Sequence, residues 1–437
     1  MEKSFKNLIK TRFPYFIQSR LLLAVSGGVD SVVLARLCEK ARLDFSIAHC
    51  NFNLRGEESD KDQQFVEDLA EDLDVAMYSQ NFDTEKYAED KGISIQMAAR
   101  ELRYDWFDEL RNLFKFDYVL TAHHANDNLE TFLINLVRGT GLEGLSGIKV
   151  ENNKIIRPLL EFTRKEIEEY AKRENIDWRE DSSNASTKYM RNKIRHDIVP
   201  ALEDLNPQLL QSFAQTQSHL KENQDLVEDY ISLIYPKIVR KDKYGYSLDI
   251  NFLKKIPHPK SVLYQLLKSF GFTEWDDVFN LMEAQSGKMV FSGTHRLIKD
   301  RESLILTEII PENNNSTFRI EEGEDFAMLP AGTFHISEVS EIEETGPSCI
   351  YVNKEKLEFP LILRKWKQGD YFYPFGMKGK KKLSDFFKDK KLSLPEKENS
   401  WLLCSGEKIV WVVNQRADDR FAISAPDQKI LKITCNQ

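Results

Sequence analysis

The chain reads as an α/β protein with three parts. A doubly wound parallel sheet is expected over residues 1–208, a mostly helical middle domain over 209–316, and a small β-rich domain over 317–437. Three observations predict this. Short apolar runs alternate with amphipathic helical patterns through the first 200 residues, the signature of a parallel sheet covered by helices. The first of those runs, Leu21–Val25, breaks through Gly27 and Gly28 straight into a helical pattern at Val32, Val33, Leu34 and Leu37. Beyond the turn-rich stretch Pro311–Ser316, compact apolar runs such as Phe359–Leu363 and Ile409–Val413 read as strands.

The elements follow in order. Leu21–Val25 is a fully buried strand, Phe45–His49 a second and Tyr118–Ala122 a third. Helical patterns over Gln63–Leu73 and Ile95–Leu113 lie between them, and another begins near Asn126. Thr163-Arg-Lys-Glu166 is a capping box that opens a helix to about Glu174. Pro200 and Pro207 bracket the end of the first domain, and from Leu209 to Glu283 the pattern is mostly helical, interrupted at Pro257 and Pro259. A chain of 437 residues is long for one core, which fits two or three domains.

Chemistry concentrates behind the strand ends, where open α/β sheets bind ligands. Ser26-Gly-Gly-Val-Asp-Ser31 follows the first strand and opens a helix. Unpaired backbone N–H groups and the positive end of the helix dipole make such a turn an anion site. Ser26 and Ser31 add hydroxyls, and Asp30 adds a carboxylate able to hold a phosphate-bound Mg²⁺. The loop is not a Walker A, since no lysine closes it, nor a dinucleotide fingerprint, since its glycines are adjacent. His49–Ser59 follows the second strand; Asn51 and Arg55 there suit a base or phosphates, or a plain surface loop. Arg100 and Arg103, three apart on a helix, share a face that an anion could meet. Thr121–Thr131 follows the third strand. Asp127 and Glu130 share a face of its first helical turn and suit Mg²⁺, an ammonium group, or simple N-terminal capping.

Bulk composition narrows the class. The net charge of −9 argues against a general nucleic-acid sponge. Locally, however, Arg364–Lys391 holds ten basic and three acidic residues, a net +7, with Tyr371, Phe372, Tyr373, Phe375, Phe386 and Phe387 among them. That mixture suits an RNA backbone and unstacked bases, and equally a charged face over a small core. Five scattered cysteines without a C-x-x-C pair fit free thiols in a reducing cytoplasm. No apolar run approaches the length of a membrane span, and the start lacks an apolar signal core, so no export and no membrane partner are expected.

The S-G-G-x-D-S loop resembles that of the N-type ATP pyrophosphatases, with their adenine nucleotide alpha hydrolase-like fold. The wider series is more specific: S-G-G-V-D-S, N-x-x-L-R-G-E-E-S, A-R-x-x-R-Y, T-A-H-H-x-x-D-x-x-E-T and R-G-T-G-L-x-G-L-S-G. With Arg157-Pro-Leu-Leu160, Asp181-Ser-Ser-Asn184, Arg191-Asn-Lys-Ile-Arg195, Gly369-Asp370 and Phe375–Phe387, it resembles the tRNA(Ile)-lysidine synthase family. One departure is Asn126, where the family often carries an aspartate. The resemblance implies that ATP adenylates the C2 oxygen of the wobble cytidine in a tRNA(Ile) with a CAU anticodon. The ε-amine of free L-lysine then displaces AMP. It implies that Ser26, Gly27, Gly28, Val29, Asp30 and Ser31 hold ATP, that Asp30 and Asp127 share Mg²⁺, and that Glu130 with Arg103 positions lysine. A thiolating relative and a non-catalytic nucleotide-sensing tRNA-binding protein are the alternatives. The oligomeric state is left open, a homodimer included.

Overall fold

Apolar side chains on both faces put the strand after Arg20 at the centre of a sheet. In the computed structural model, which describes residues 1–180, 190–309, 317–343, 345–423 and 429–436, two compact units form, Met1–Glu228 and Asp229–Gln437. The first unit begins with α1 (Glu2–Arg12), then β1 (Leu21–Ala24), α2 (Val29–Lys40), β2 (Phe45–Asn51), α3 (Glu57–Asp72) and β3 (Met77–Asn81). It continues with α4 (Thr84–Lys91), α5 (Ile95–Phe114), β4 (Tyr118–Leu120), α6 (Ala125–Arg138) and α7 (Leu142–Leu145). The short strands β5 (Glu151–Asn152) and β6 (Ile155–Ile156) precede α8 (Arg164–Arg173).

The six strands stand in the order β3-β2-β1-β4-β6-β5, parallel except for β5. Alternation along β1 explains the double winding. Leu21 and Leu23 enter a core with Val32, Val33 and Ile167, whereas Leu22 enters another with Trp106, Phe107 and Leu110. Each of these leucines is fully buried, a stabilisation of about 1.5–3 kcal/mol apiece. From β1 the chain winds outward through β2 and β3, then returns to β1's other side as β4. The order therefore reverses between β1 and β4, and the loops after those two strands open on one crevice.

After residue 189 the chain resumes as helix Met190–Lys193, a π-helical turn at Ile194–Ile198 and helix Val199–Leu205. A long helix, Leu209–Ile238, carries it into the second unit. Helices make up most of the regular structure of the middle stretch, as expected, but a sheet that the sequence reading did not include joins them. Besides helices at Pro259–Leu267 and Trp275–Asn280, five antiparallel strands form a sheet: Val239–Asp242, Gly245–Asp249, Met289–Phe291, His295–Asp300 and Ser303–Glu308. Residues 317–436 are β-rich, as the short apolar runs predict. A five-stranded and a four-stranded sheet bury Phe334, Leu363, Trp411 and Ile433 in a common core.

Candidate active site

The loop between β1 and α2 is built around one backbone requirement. Gly27 has φ +90°, a conformation that side chains other than glycine rarely adopt. The first bond of the helical ladder runs from Val32 N–H to Gly28 O (3.1 Å), which leaves the amides of residues 29–31 ahead of it. Val29 sends its side chain into the core, so only its backbone faces the loop. The Ser31 hydroxyl donates to Gly28 O (2.9 Å) and accepts from Ser26 N–H (3.2 Å), making it a brace, while Ser26 is exposed. From behind, His49 Nδ1 lies 2.9 Å from Val25 O and donates to it; burial keeps this imidazole below its ordinary pKa and therefore neutral.

The carboxylates meet where the sheet reverses. Asp127 sits at the start of α6, and its Oδ2 accepts from His124 N–H (3.1 Å) in a capping box. Its Oδ1 accepts from Arg191 Nη2 (2.8 Å) and Arg195 Nη2 (3.1 Å). Glu130, one turn on and 2% exposed, takes Arg191 Nε (2.8 Å) on one oxygen and Arg195 Nε (2.6 Å) on the other. Asp30 takes Arg164 Nη1 on Oδ2 (2.5 Å). His124 Nε2 lies between the two aspartates, 3.8 Å from Asp30 and 3.4 Å from Asp127. Burial raises the Asp30 carboxyl above its ordinary pKa against the pull of His124 and Arg164. For Asp127 burial acts the same way, but the neighbouring His124, Arg191 and His123 and the bond from His124 N–H outweigh it, and its pKa falls.

Room for a cation remains on one side only. Among the described residues, Asp30 Oδ1 is buried without a hydrogen-bond partner, whereas both Asp127 oxygens are engaged. No group of three or more metal-ligating side chains occurs among the described residues. Two carboxylates do fit Mg²⁺, which usually completes its shell with phosphate and water oxygens.

A cavity of about 430 Å³ opens beside the loop, lined by Phe52, Arg103, Tyr104, Phe107, His123 and Asp127, with Ser26, Gly28, Asp30 and Ser31 at its floor. Arg103 lies over the Phe52 ring, 5.2 Å from its centroid, in a cation–π contact. Arg100 instead stacks on Tyr104 (4.8 Å). Burial, with Arg157, Arg191 and Arg103 nearby, pushes His123 down to about 4, so it is neutral near pH 7. Ser26–Ser31, Arg103 and Asp127 therefore share one crevice, while Glu130 stands behind Arg191 and Arg195. Asn51 is buried, bonded to Asp60 and Gln63 as an internal brace. Asn126 accepts from Arg164 N–H (3.0 Å), tying α6 to α8. The motif Asp181–Asn184 lies outside the described residues.

Three arginines carry more of this site than sequence reasoning gave them. In the sequence Arg191 and Arg195 stand out only as part of a motif, and Arg164 only inside a capping box. A signal did exist for the pair: arginines four apart on one helical face complement carboxylates three apart on another.

In the second unit the basic segment divides. Phe372, Phe386 and Phe387 are core residues, and Arg364 is locked on Asp370 (2.7 and 2.9 Å). Lys378, Lys380, Lys382, Tyr371 and Phe375 are exposed, with Lys380 4.9 Å from the Tyr371 ring centroid. No helix among the described residues is long and apolar enough to cross a membrane.

Comparison with known proteins covers the chain in the same pieces. Residues 1–202 match the PP-loop domain family, 241–309 the TilS substrate binding domain and 361–434 the TilS C-terminal domain. The tRNA(Ile)-lysidine synthase of Parabacteroides distasonis is 41% identical over 94% of this chain and 94% of its own length. Those of Bacteroides thetaiotaomicron and Porphyromonas gingivalis are 38% and 39% identical, over 94% and 92% of this chain and 94% and 91% of their own. With strand ends, phosphate-type loop and paired carboxylates arranged as described, the chain belongs to the tRNA(Ile)-lysidine synthase family.

Proposed function

We propose that this protein ligates free lysine to C2 of the wobble cytidine of tRNA(Ile) with a CAU anticodon, using ATP and Mg²⁺. The observation that carries this reading is the single cavity at which the glycine loop, Asp127 and Arg103 converge, in a chain similar over nearly its whole length to lysidine synthases. The cytidine C2 oxygen attacks the α-phosphorus of ATP, and the bond to the bridging oxygen breaks with release of pyrophosphate. The lysine ε-amine then attacks C2, and AMP leaves with the oxygen.

The chain's own groups suit each demand. The amides of residues 29–31 and the Ser26 hydroxyl bind phosphate oxygens, where a helix N-terminus favours negative charge. Asp30, through its unpartnered oxygen, would hold Mg²⁺, with Asp127 joining it by exchanging an arginine for the ion, and the ion would neutralise phosphate charge. The aromatic wall of Phe52, Tyr104 and Phe107 accepts a planar base. Arg103 and Glu130 orient the lysine, Glu130 through the two arginines it fixes. Neutral His123 lines the same cavity and offers an acceptor to the amine. The exposed lysines of 378–382 and Tyr371 hold the tRNA.

Incubation with Mg·ATP, radiolabelled lysine and a CAU transcript tests this. Label is expected on that transcript and not on a variant with uridine for the wobble cytidine. Equal labelling of both, or of neither, would overturn the reading.

A further inference from the structure

The glycine-rich motif at 138–147 does not line the cavity of the crevice, yet it is firmly held. Two ladders of side-chain amides hold it. Asn128 and Asn135 are seven apart on α6 and share a face, as do Gln217 and Gln224 on the long helix Leu209–Ile238. The motif runs between them: Asn135 Nδ2 donates to Gly144 O (2.9 Å), and Ser146 Oγ lies 2.8 Å from Gln224 Oε1. At the end nearest Asp127 the ladders meet directly. Asn128 Nδ2 donates to Gln217 Oε1 (2.6 Å), and Gln217 Nε2 donates back to Asn128 Oδ1 (3.2 Å). That Asn128 oxygen also accepts Ile148 N–H (2.7 Å). Gly147 closes over the pair: its φ is +72°, and a Cβ there would stand 2.2 Å from Gln217 Nε2 and 2.3 Å from Asn128 Oδ1.

Asn128 shares the first turn of α6 with Asp127 and Glu130 but points elsewhere, about 100° around the helix from the first and about 160° from the second. The turn is therefore gripped on two sides. Arg191 and Arg195 hold the carboxylates on one, while Gln217 and Ile148 N–H hold the buried Asn128 on the other. We infer that Asn128 and Gln217 are positioning residues for the ligation: their amide pair fixes the rotation of α6 about its own axis, and so aims Asp127 into the crevice and Glu130 at its two arginines. The inference rests on the roles proposed above for Asp127 and Glu130. Apolar packing joins the two helices, with the Phe132 ring edge-on to Phe213 at 5.1 Å, but such contact is non-directional and does not set a rotation. A reciprocal amide pair does, because each of its bonds has a preferred line. Neither amide lines the cavity, so this grip stays in place when substrates displace the arginines from the carboxylates.

Rates per folded molecule separate positioning from a structural role, which would change only the folded fraction. Lysine incorporation into the CAU transcript would be followed in single turnovers of the full chain at saturating Mg·ATP and lysine, with tRNA affinity measured alongside. Asn128→Ala and Gln217→Met, the second keeping side-chain length without the bonds, should each lower the rate about 30-fold, as a shift of order 1 Å does, with tRNA affinity within about twofold of wild type. The double variant should lose no more than about 50-fold, far short of the roughly 10³-fold that independent losses would give. Gln217→Glu, which keeps an acceptor for Asn128 Nδ2, should recover part of the loss. Gly147→Ala, which leaves both amides present but parts them, should lose about as much as either single variant. Single-variant rates within about threefold of wild type, losses that multiply in the double variant, or no gain from Gln217→Glu over Gln217→Met would overturn the inference. A wild type that incorporates no lysine would instead overturn the ligation reading itself.

Discussion

The charged groups of the crevice and those of the basic segment 364–391 are organised in opposite ways. In the crevice nearly every charge has an internal partner: Asp127 and Glu130 share Arg191 and Arg195, and Asp30 holds Arg164. In the basic segment the interior charges are paired or suppressed and the rest are left to solvent. Arg364 is bound to Asp370, Lys381 to Asp389, and Lys365 lies over Trp401, where burial lowers its amine to about 8. Lys378, Lys380 and Lys382 project outward. The contrast separates two tasks. Chemistry on one atom needs groups held in fixed geometry before substrate arrives, whereas gripping a phosphate backbone needs mobile cations that release counterions.

The sharpest way to break the comparison is at Asp127. Asp127→Asn should lower turnover by about 10³-fold while tRNA affinity stays within twofold of wild type; a near-normal rate in single-turnover assays would remove it from the chemistry. Within the basic segment, Phe372→Ala should cost about 3–5 kcal/mol of stability, since Phe372 is fully buried, whereas Phe375→Ala should change it by no more than about 0.5 kcal/mol. Denaturant titrations that rank the two equally would contradict the division into core and surface aromatics. Replacing Lys378, Lys380 and Lys382 together by glutamine should weaken tRNA binding about tenfold and reduce the slope of log K against log salt by about 2–3. An unaltered slope would deny these lysines phosphate contact. The smallest effect is expected from Thr163→Ala, which removes one half of the capping box that starts α8 and presents Arg164. It should lower stability by about 1 kcal/mol.

How far the sequence disclosed these features depended on whether their causes were local. The β1–loop–α2 unit was legible because five apolar residues, two glycines and a helical pattern are contiguous. The same holds for Thr163–Glu166, where the reciprocal bonds between Thr163 and Glu166 form as expected. Asp127 and Glu130 were legible as a pair, but not their partners, because Arg191 and Arg195 lie some sixty residues downstream and only the fold brings them back. The strands between Val239 and Glu308 were missed for another reason. Strands such as Val239–Asp242 and Met289–Phe291 are short and mostly exposed, so they lack the continuous apolar run that marks β1. In the basic segment, spacing alone could not separate Phe372 from Phe375. Pairing of Tyr371–Phe372 with Lys381–Lys382 holds Phe372 in the small core, whereas Phe375 falls in the exposed turn beyond that strand.

The central claim, that the crevice activates a base before an amine attacks it, is tested most directly by leaving lysine out. The CAU transcript would be incubated with the protein, Mg²⁺ and ATP labelled at the α-phosphate, and the RNA examined for label. The account predicts labelled AMP on the CAU transcript alone, discharged when lysine is added. Label found only as free AMP, or equally on the uridine variant, would contradict it.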